Sequence, residues 1–215
     1  MGWYAKPNGS YFVGSDEWNA NVFAFWEVCE RLGYTKEACA GMIGNSQGEG
    51  GMNPWRWQSD KVDYSMGYGL FQYTPASGYF NNYGKTSSYF SPNTSTTTQT
   101  TGATPNDGIA QIECIIASGK YVGGSSRVDR IKPYYATCES YQTLDNFKKI
   151  TDVYGATVCW IGFFEAPSII DEEKINQRYN WAISAYELLN DSPKPKPIDL
   201  IYYLMKIRRK RRLNV

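Results

Sequence analysis

The strongest constraint on the fold is a pair of apolar stripes with helical period near the start of the chain. Trp18, Val22, Phe25, Trp26, Cys29 and Leu32 lie on one helix face. Ser15 precedes the run as an N-cap, and Gly33 follows as its stop. A second helix is predicted after Thr35, burying Ala38, Cys39, Met42 and Ile43. In that register Glu49 emerges on the core side of the last turn, just before Gly50 and Gly51 end the helix. Further apolar stripes predict helices over 107–117 (Ile109, Ile112, Ile116), 156–164 (Ala156, Cys159, Trp160, Phe163, Phe164) and 172–189 (Ile175, Tyr179, Ala182, Ile183, Tyr186, Leu189). Between the helix after Thr35 and the one over 107–117 lies a segment that alternates aromatics with turn-forming residues, WRWQSDKVDYSMGYGLFQYTP. Its run from Gly67 to Tyr73 reads as a short extended or turn segment. The expected fold class is therefore α+β, mostly α, with a small β-hairpin excursion.

The 215 residues suffice for one main domain, expected over 1–190, and a separate tail over 191–215. Charge separates the two. The overall net charge is only +1, yet the first 190 residues are acidic in balance and the rest strongly basic. Histidine is absent, which removes Ser-His-Asp and Cys-His nucleophiles, histidine-ligated zinc and HExxH peptidases together. The five cysteines form no CxxC pair, and Cys29, Cys39 and Cys159 fall on apolar helix faces, so buried thiols are expected rather than a metal site or disulfide framework. No phosphate-cradling glycine loop or calcium loop occurs, and no cofactor or metal is implied. The opening MGWYAKPNGS is polar and turn-rich, unlike a secretory leader, and suggests synthesis in a cytoplasm. Aromatics make up 16% of the chain, including 18 Tyr and 7 Trp, and serve either as core filling or as flat surfaces for sugars and bases.

Glu49 stands alone among glycines in GMIGNSQGEGGMNPW. A carboxyl group that stays protonated can hand its proton to a glycosidic oxygen, and a half-buried glutamate at the negative end of a helix is placed for that task. Two further acids, Asp60 and Asp63, precede the aromatic run. Either could support an oxocarbenium-like centre or a water, or be an ordinary solvated turn residue.

The runs GMIGNSQGEGGMNPWRWQ and GYGLFQYTPASGY resemble the phage tail lysozyme family, in particular the lysozyme domain of tail-knob hydrolases of short-tailed phages. The resemblance extends more loosely from about residue 19 to residue 190. It implies a lysozyme-like fold with Glu49 as catalytic acid, and Gln72 and Tyr73 lining a sugar cleft beside Tyr68. The run WIGFFEAP resembles a closing element of the family, making Glu165 a further candidate near the cleft, or else a polar anchor for the loop before Pro167. The Ser/Thr-rich stretch over 86–104 departs from the pattern and is expected to be a mobile connector, the alternative being a loop that closes over the glycan.

The resemblance implies a muramidase that cuts the β-1,4 bonds of host peptidoglycan during infection and resides in the virion tail tip or knob. A lytic transglycosylase is the alternative enzyme, and a tail-tip module that binds wall glycan without cutting it is the alternative from another class. The tail begins with SPKPKP, a semi-rigid spacer. Beyond it, residues 198–212 combine an apolar stretch too short to cross a bilayer with a cluster of Lys and Arg. Docking on a virion tail protein is the expected role, with an anionic membrane surface as the alternative. Nucleic acid is disfavoured as a partner by the acidic body.

Overall fold

The computed structural model describes residues 3–97, 106–124, 127, 131–167 and 170–191. Its longer helices are α1 (Asp16–Arg31), α2 (Lys36–Gly50), α3 (Ala76–Asn81), α4 (Asp107–Glu113), α5 (Val153–Trp160) and α6 (Glu172–Asp191), joined by short helical turns. The predicted caps are present. Ser15 Oγ accepts the N–H of Trp18 at 3.2 Å, and Thr35 Oγ1 accepts that of Ala38 at 3.1 Å. Gly33, at φ +82°, follows α1, and Gly51, at φ +61°, ends α2 in the left-handed conformation that glycine adopts without strain.

Helix α2 is the axis of the molecule. Residues 38–46 of it are buried without a break, so it has no solvent face in its middle and is packed on several sides. Its glycines let two helices approach its backbone. A Cβ on Gly41 would lie 2.6 Å from the carbonyl carbon of Ala156 in α5, and one on Gly44 would fall onto the carbonyl oxygen of Arg178 in α6. Asn45, buried in this seam, donates to the carbonyls of Gly41 (2.8 Å) and Thr157 (3.1 Å). A buried amide so satisfied locks the register of α2 against α5.

The expected β-hairpin is not formed among the described residues. A single antiparallel bridge joins Trp57 to Tyr68, closed by Gln58 N–H to Gly67 O (2.9 Å) and Gly69 N–H to Arg56 O (2.7 Å). A longer ladder is interrupted because Ser59 and Asp60 take positive φ values of 56° and 53°, which turn the chain away from extended geometry. Side chains hold the segment instead. Trp57, Tyr68, Tyr73, Tyr79 and Phe80 form one aromatic cluster, in which Tyr73 and Tyr79 stack at 5.5 Å with an interplanar angle of 5°. The aromatic excess of the sequence is thus largely core filling, with Trp3, Trp18, Trp57 and Trp160 fully buried.

A buried aspartate, Asp107, ties this cluster to α4. Its carboxylate accepts from Tyr79 Oη (2.7 Å), Gln111 Nε2 (2.8 Å), Tyr68 Oη (3.1 Å) and the backbone N–H of Ser91 (3.1 Å). Tyr68 Oη in turn accepts the N–H of Asn93 at 2.9 Å, and Trp57 Nε1 donates to Asn93 O at 3.1 Å. Residues 91–93 are therefore fixed to the core, a correction to the mobile connector expected over 86–104; residues 98–105 lie outside the described residues. Ser and Thr composition says nothing of backbone partners supplied by distant side chains.

Three further expectations are corrected. Cys138 and Cys159 form a disulfide, with Cα atoms 5.4 Å apart, because the helical turn Tyr135–Cys138 packs against α5; Cys29, Cys39 and Cys114 are buried free thiols. The helix predicted over 107–117 breaks at Cys114 into α4 and a turn at Ile115–Ser118, which leaves Ile116 63% exposed. The buried line of α6 runs through Ile175, Ala182, Ala185 and Leu189 rather than Tyr179, Ile183 and Tyr186, which are only partly buried. The tail segment 198–212 lies outside the described residues.

Candidate active site

Glu49 reaches the surface where α2 ends, because Gly50 packs on the Gly69–Leu70 backbone and Gly51 turns the chain. Opposite it, α5 does not simply stop at Trp160. It widens into a π-helical turn over Ile161–Glu165, closed by Ala166 N–H to Ile161 O at 2.7 Å. The widened turn, with Ala166 left-handed at φ +49°, ends the helix at Glu165. Phe163 and Phe164 remain in the core while Glu165 lies half-buried at its edge.

These two carboxyls line one cleft of about 480 Å³. Phe71, Phe164 and Pro167 supply apolar wall, Gln58, Ser59, Gln72 and Thr74 supply polar edge, and Arg56 and Lys120 add two cations. Gln72, held at a positive φ of 44°, donates from Nε2 to Gly69 O (2.9 Å) and Arg56 O (3.3 Å). It clasps the bridge between the two halves of the excursion while facing the cleft.

The two carboxyls sit in unlike surroundings. Glu49 is ion-paired with Arg178 of α6, whose other terminal nitrogen donates to Asn45 Oδ1 at 2.8 Å. Asn45 and Glu49 are one helical turn apart, so a single guanidinium bridges that turn. Glu165 is pushed up to about 8, chiefly by burial and then by the negative charge of Glu49, while Arg178, Lys120 and the indole of Trp160, which donates to its Oε1 at 3.2 Å, pull it back. Burial and the neighbouring charge of Glu49 thus favour the protonated form of Glu165. Burial lowers the Lys120 ammonium, and Glu165 opposes that shift.

The remaining sequence candidates are placed elsewhere. Tyr68 and Tyr73 are fully buried and belong to the core rather than the cleft lining; Tyr73 Oη donates to Gln111 O at 2.6 Å, and its ring lies 5.3 Å from Lys120 Nζ. Asp60 and Asp63 are exposed turn residues outside the lining. Asp60 Oδ1 accepts the N–H of Gly9 at 3.1 Å, and Asp63 Oδ1 accepts from the hydroxyl (2.6 Å) and N–H (2.8 Å) of Ser65, which hold its carboxyl below the usual range. Arg56, Lys120 and Arg178 went unrecognised in the sequence. For Arg178 a signal existed: Ile175, Arg178, Ala182, Ala185 and Leu189 follow one helical line, and a guanidinium on a buried line needs a partner. Among the described residues no group of acids and cysteines is arranged to hold a metal ion, and no helix is long and apolar enough to cross a membrane.

Over 50 residues the chain is 50% identical to Morphogenesis protein 1 of Bacillus phage B103, a match that spans 23% of this chain and 14% of that protein. A far longer stretch fits the phage tail lysozyme model, residues 20–189, which takes in Glu49, the bridged aromatic excursion, the π turn with Glu165 and Arg178 of α6. The chain belongs to the phage tail lysozyme family.

Proposed function

We propose that this protein is a muramidase that hydrolyses the β-1,4 bonds of host peptidoglycan, acting from the virion tail, with Glu49 as the general acid. The observation that supports this is the pair of carboxyls from α2 and the π turn on one cleft, one of them ion-paired and the other pushed by burial toward its protonated form. Like charges in one site favour holding a proton between them, and a proton so held belongs to the pair. Glu49, at the end of its helix, delivers it to the glycosidic oxygen. Glu165 keeps the pair supplied, and water completes the cleavage.

The ion pair of Glu49 with Arg178 favours a second reading, in which Glu165 donates and the Glu49 carboxylate supports the developing positive charge or the attacking water. Two nearly isosteric variants separate them. If Glu49 is the donor, Glu49→Gln loses about a hundred- to ten-thousand-fold in cleavage of purified wall, whereas Glu165→Gln keeps more activity and changes mainly its alkaline limb. A folded Glu49→Gln protein with more than about a tenth of wild-type activity would sink the first assignment. If Glu165→Gln is the more damaging variant, the second reading holds. Product masses then separate hydrolysis from transglycosylation, since an anhydro end is one water lighter than a reducing end. Wild-type protein that binds wall but releases no fragments is a glycan-binding module.

A further inference from the structure

The charges along the cleft do not cancel. Glu49 is matched by Arg178, and burial favours the neutral form of Glu165, which leaves Arg56 and Lys120 as lining cations with no carboxylate in contact. Arg56 is half-buried, and its Nη1 donates to Ser10 Oγ at 2.6 Å. That hydroxyl belongs to the N-terminal arm, which is itself fastened by Tyr11 N–H to Gly51 O at 2.9 Å and by Asn53 Nδ2 to the carbonyls of Lys6 and Gly9, both at 2.9 Å. The guanidinium is thus held in place by a neutral partner, with donors left over. Lys120 is held by Thr74 O at 3.3 Å and by the face of Tyr73, again without a carboxylate in contact. A neutral sugar chain can accept hydrogen bonds from such cations but offers no charge to meet them. An anion does, because a fixed guanidinium fork meets a carboxylate through paired charge-assisted hydrogen bonds.

We infer that Arg56, oriented by Ser10 and backed by Lys120, is a specificity-determining residue that recognises a carboxylate carried by the glycan strand. This rests on the proposed cleavage of wall glycan only for the identity of the strand. The carboxylate has two sources in wall glycan, the lactyl group of a muramic sugar that carries no peptide stem and the acids of the stem where one is attached. The cleft thereby selects acidic glycan over the neutral homopolymer of N-acetylglucosamine, a selection that the carboxyl pair cannot make.

Three small sugars that offer no internal bond for cleavage test the inference on the full chain. They are N-acetylglucosamine, N-acetylmuramic acid with its free lactyl carboxylate, and muramyl dipeptide, whose carboxylate sits on the peptide. Equilibrium affinities are measured by NMR titration at low and high salt. Wild type should bind at least one acidic sugar about tenfold more tightly than the neutral one, the scale of one charge-assisted contact, and lose most of that ratio at high salt. Arg56→Gln should bring the ratio close to one. Arg56→Lys, which keeps the charge without the fork, should retain part of it and covers the case in which the Gln variant fails to fold. Preference for N-acetylmuramic acid assigns the lactyl group, and preference for muramyl dipeptide alone assigns the stem. A wild-type ratio near one, or a ratio that survives in folded Arg56→Gln, overturns the inference. Binding is read apart from cleavage, so an acid-selective protein that fails to cut wall sinks the muramidase reading and leaves the carboxylate site standing.

Discussion

Replacing Asp107 by Asn should flatten the dependence of stability on pH. Asp107 is fully buried, and desolvation pushes its carboxyl from an ordinary 3.8 up to about 6, against the four hydrogen bonds that pull it down. Its folded value lies above its unfolded one, so the folded state binds the proton more tightly and stability falls as pH rises between the two. The full difference of roughly two units corresponds to about 3 kcal/mol lost above pH 7. About 1 kcal/mol of it has already gone by pH 4.5, where the unfolded chain is mostly ionised, which leaves about 2 kcal/mol between pH 4.5 and pH 8. In Asp107→Asn the amide must set its NH₂ against either Ser91 N–H or Gln111 Nε2, a mismatch that costs a buried partner about 1–3 kcal/mol but hardly varies with pH. The constant term cancels when the difference in unfolding free energy between wild type and variant is compared at the two pH values. Urea unfolding at pH 4.5 and pH 8 should show that difference moving by about 2 kcal/mol in favour of the variant at high pH. A difference that stays constant, or moves the other way, would refute the assignment of a desolvated carboxyl at this position.

The other expectations concern the helix seam, the disulfide and the tail. Gly44→Ala should destabilise by about 2–3 kcal/mol, since the new methyl group meets the Arg178 carbonyl and lies 2.9 Å from Ala182 Cβ, and thermal unfolding reads the loss. The same variant should cleave wall more slowly, because the helices must part at the residue that holds Glu49. Cys138→Ser should lower stability by about 3 kcal/mol in oxidised protein, the effect of opening a loop of 21 residues, and by far less when both proteins are measured under reducing conditions. Deletion of residues 194–215 should leave cleavage of purified wall intact and abolish incorporation into particles; lost cleavage would assign the tail to the catalytic body.

Much of the helical frame is legible in the sequence because α1, α2 and α6 each bury apolar or small residues at helical spacing between recognisable caps. Glu49 was found the same way, by extending the register of Met42 to the glycines that end α2. The rest of the cleft comes from segments far apart in the chain. Arg56, Gln72, Lys120 and Glu165 line it together, and no local period records the tertiary packing that brings them there. The aromatic excursion misled for a related reason. In GYGLFQY both tyrosines look like sugar platforms, yet each hydroxyl is satisfied inside, by Asp107 and by Gln111 O, and a buried partner some 40 residues away leaves no mark on the run itself. Asp60 and Asp63 precede that run in exposed turns, where Asp60 accepts from Gly9 and Asp63 from Ser65, so proximity in sequence did not bring them to the lining.

The seam between α2 and α6 has a mechanical meaning. Whatever follows Asp191 is joined directly to α6, so tension applied there enters the body along that helix. Arg178 sits in its second turn, about 20 Å from the last residue, gripping Asn45 and Glu49. A tether there and the proposed chemistry would share one rod: its far end would take the load, and its near end holds the positive charge beside Glu49.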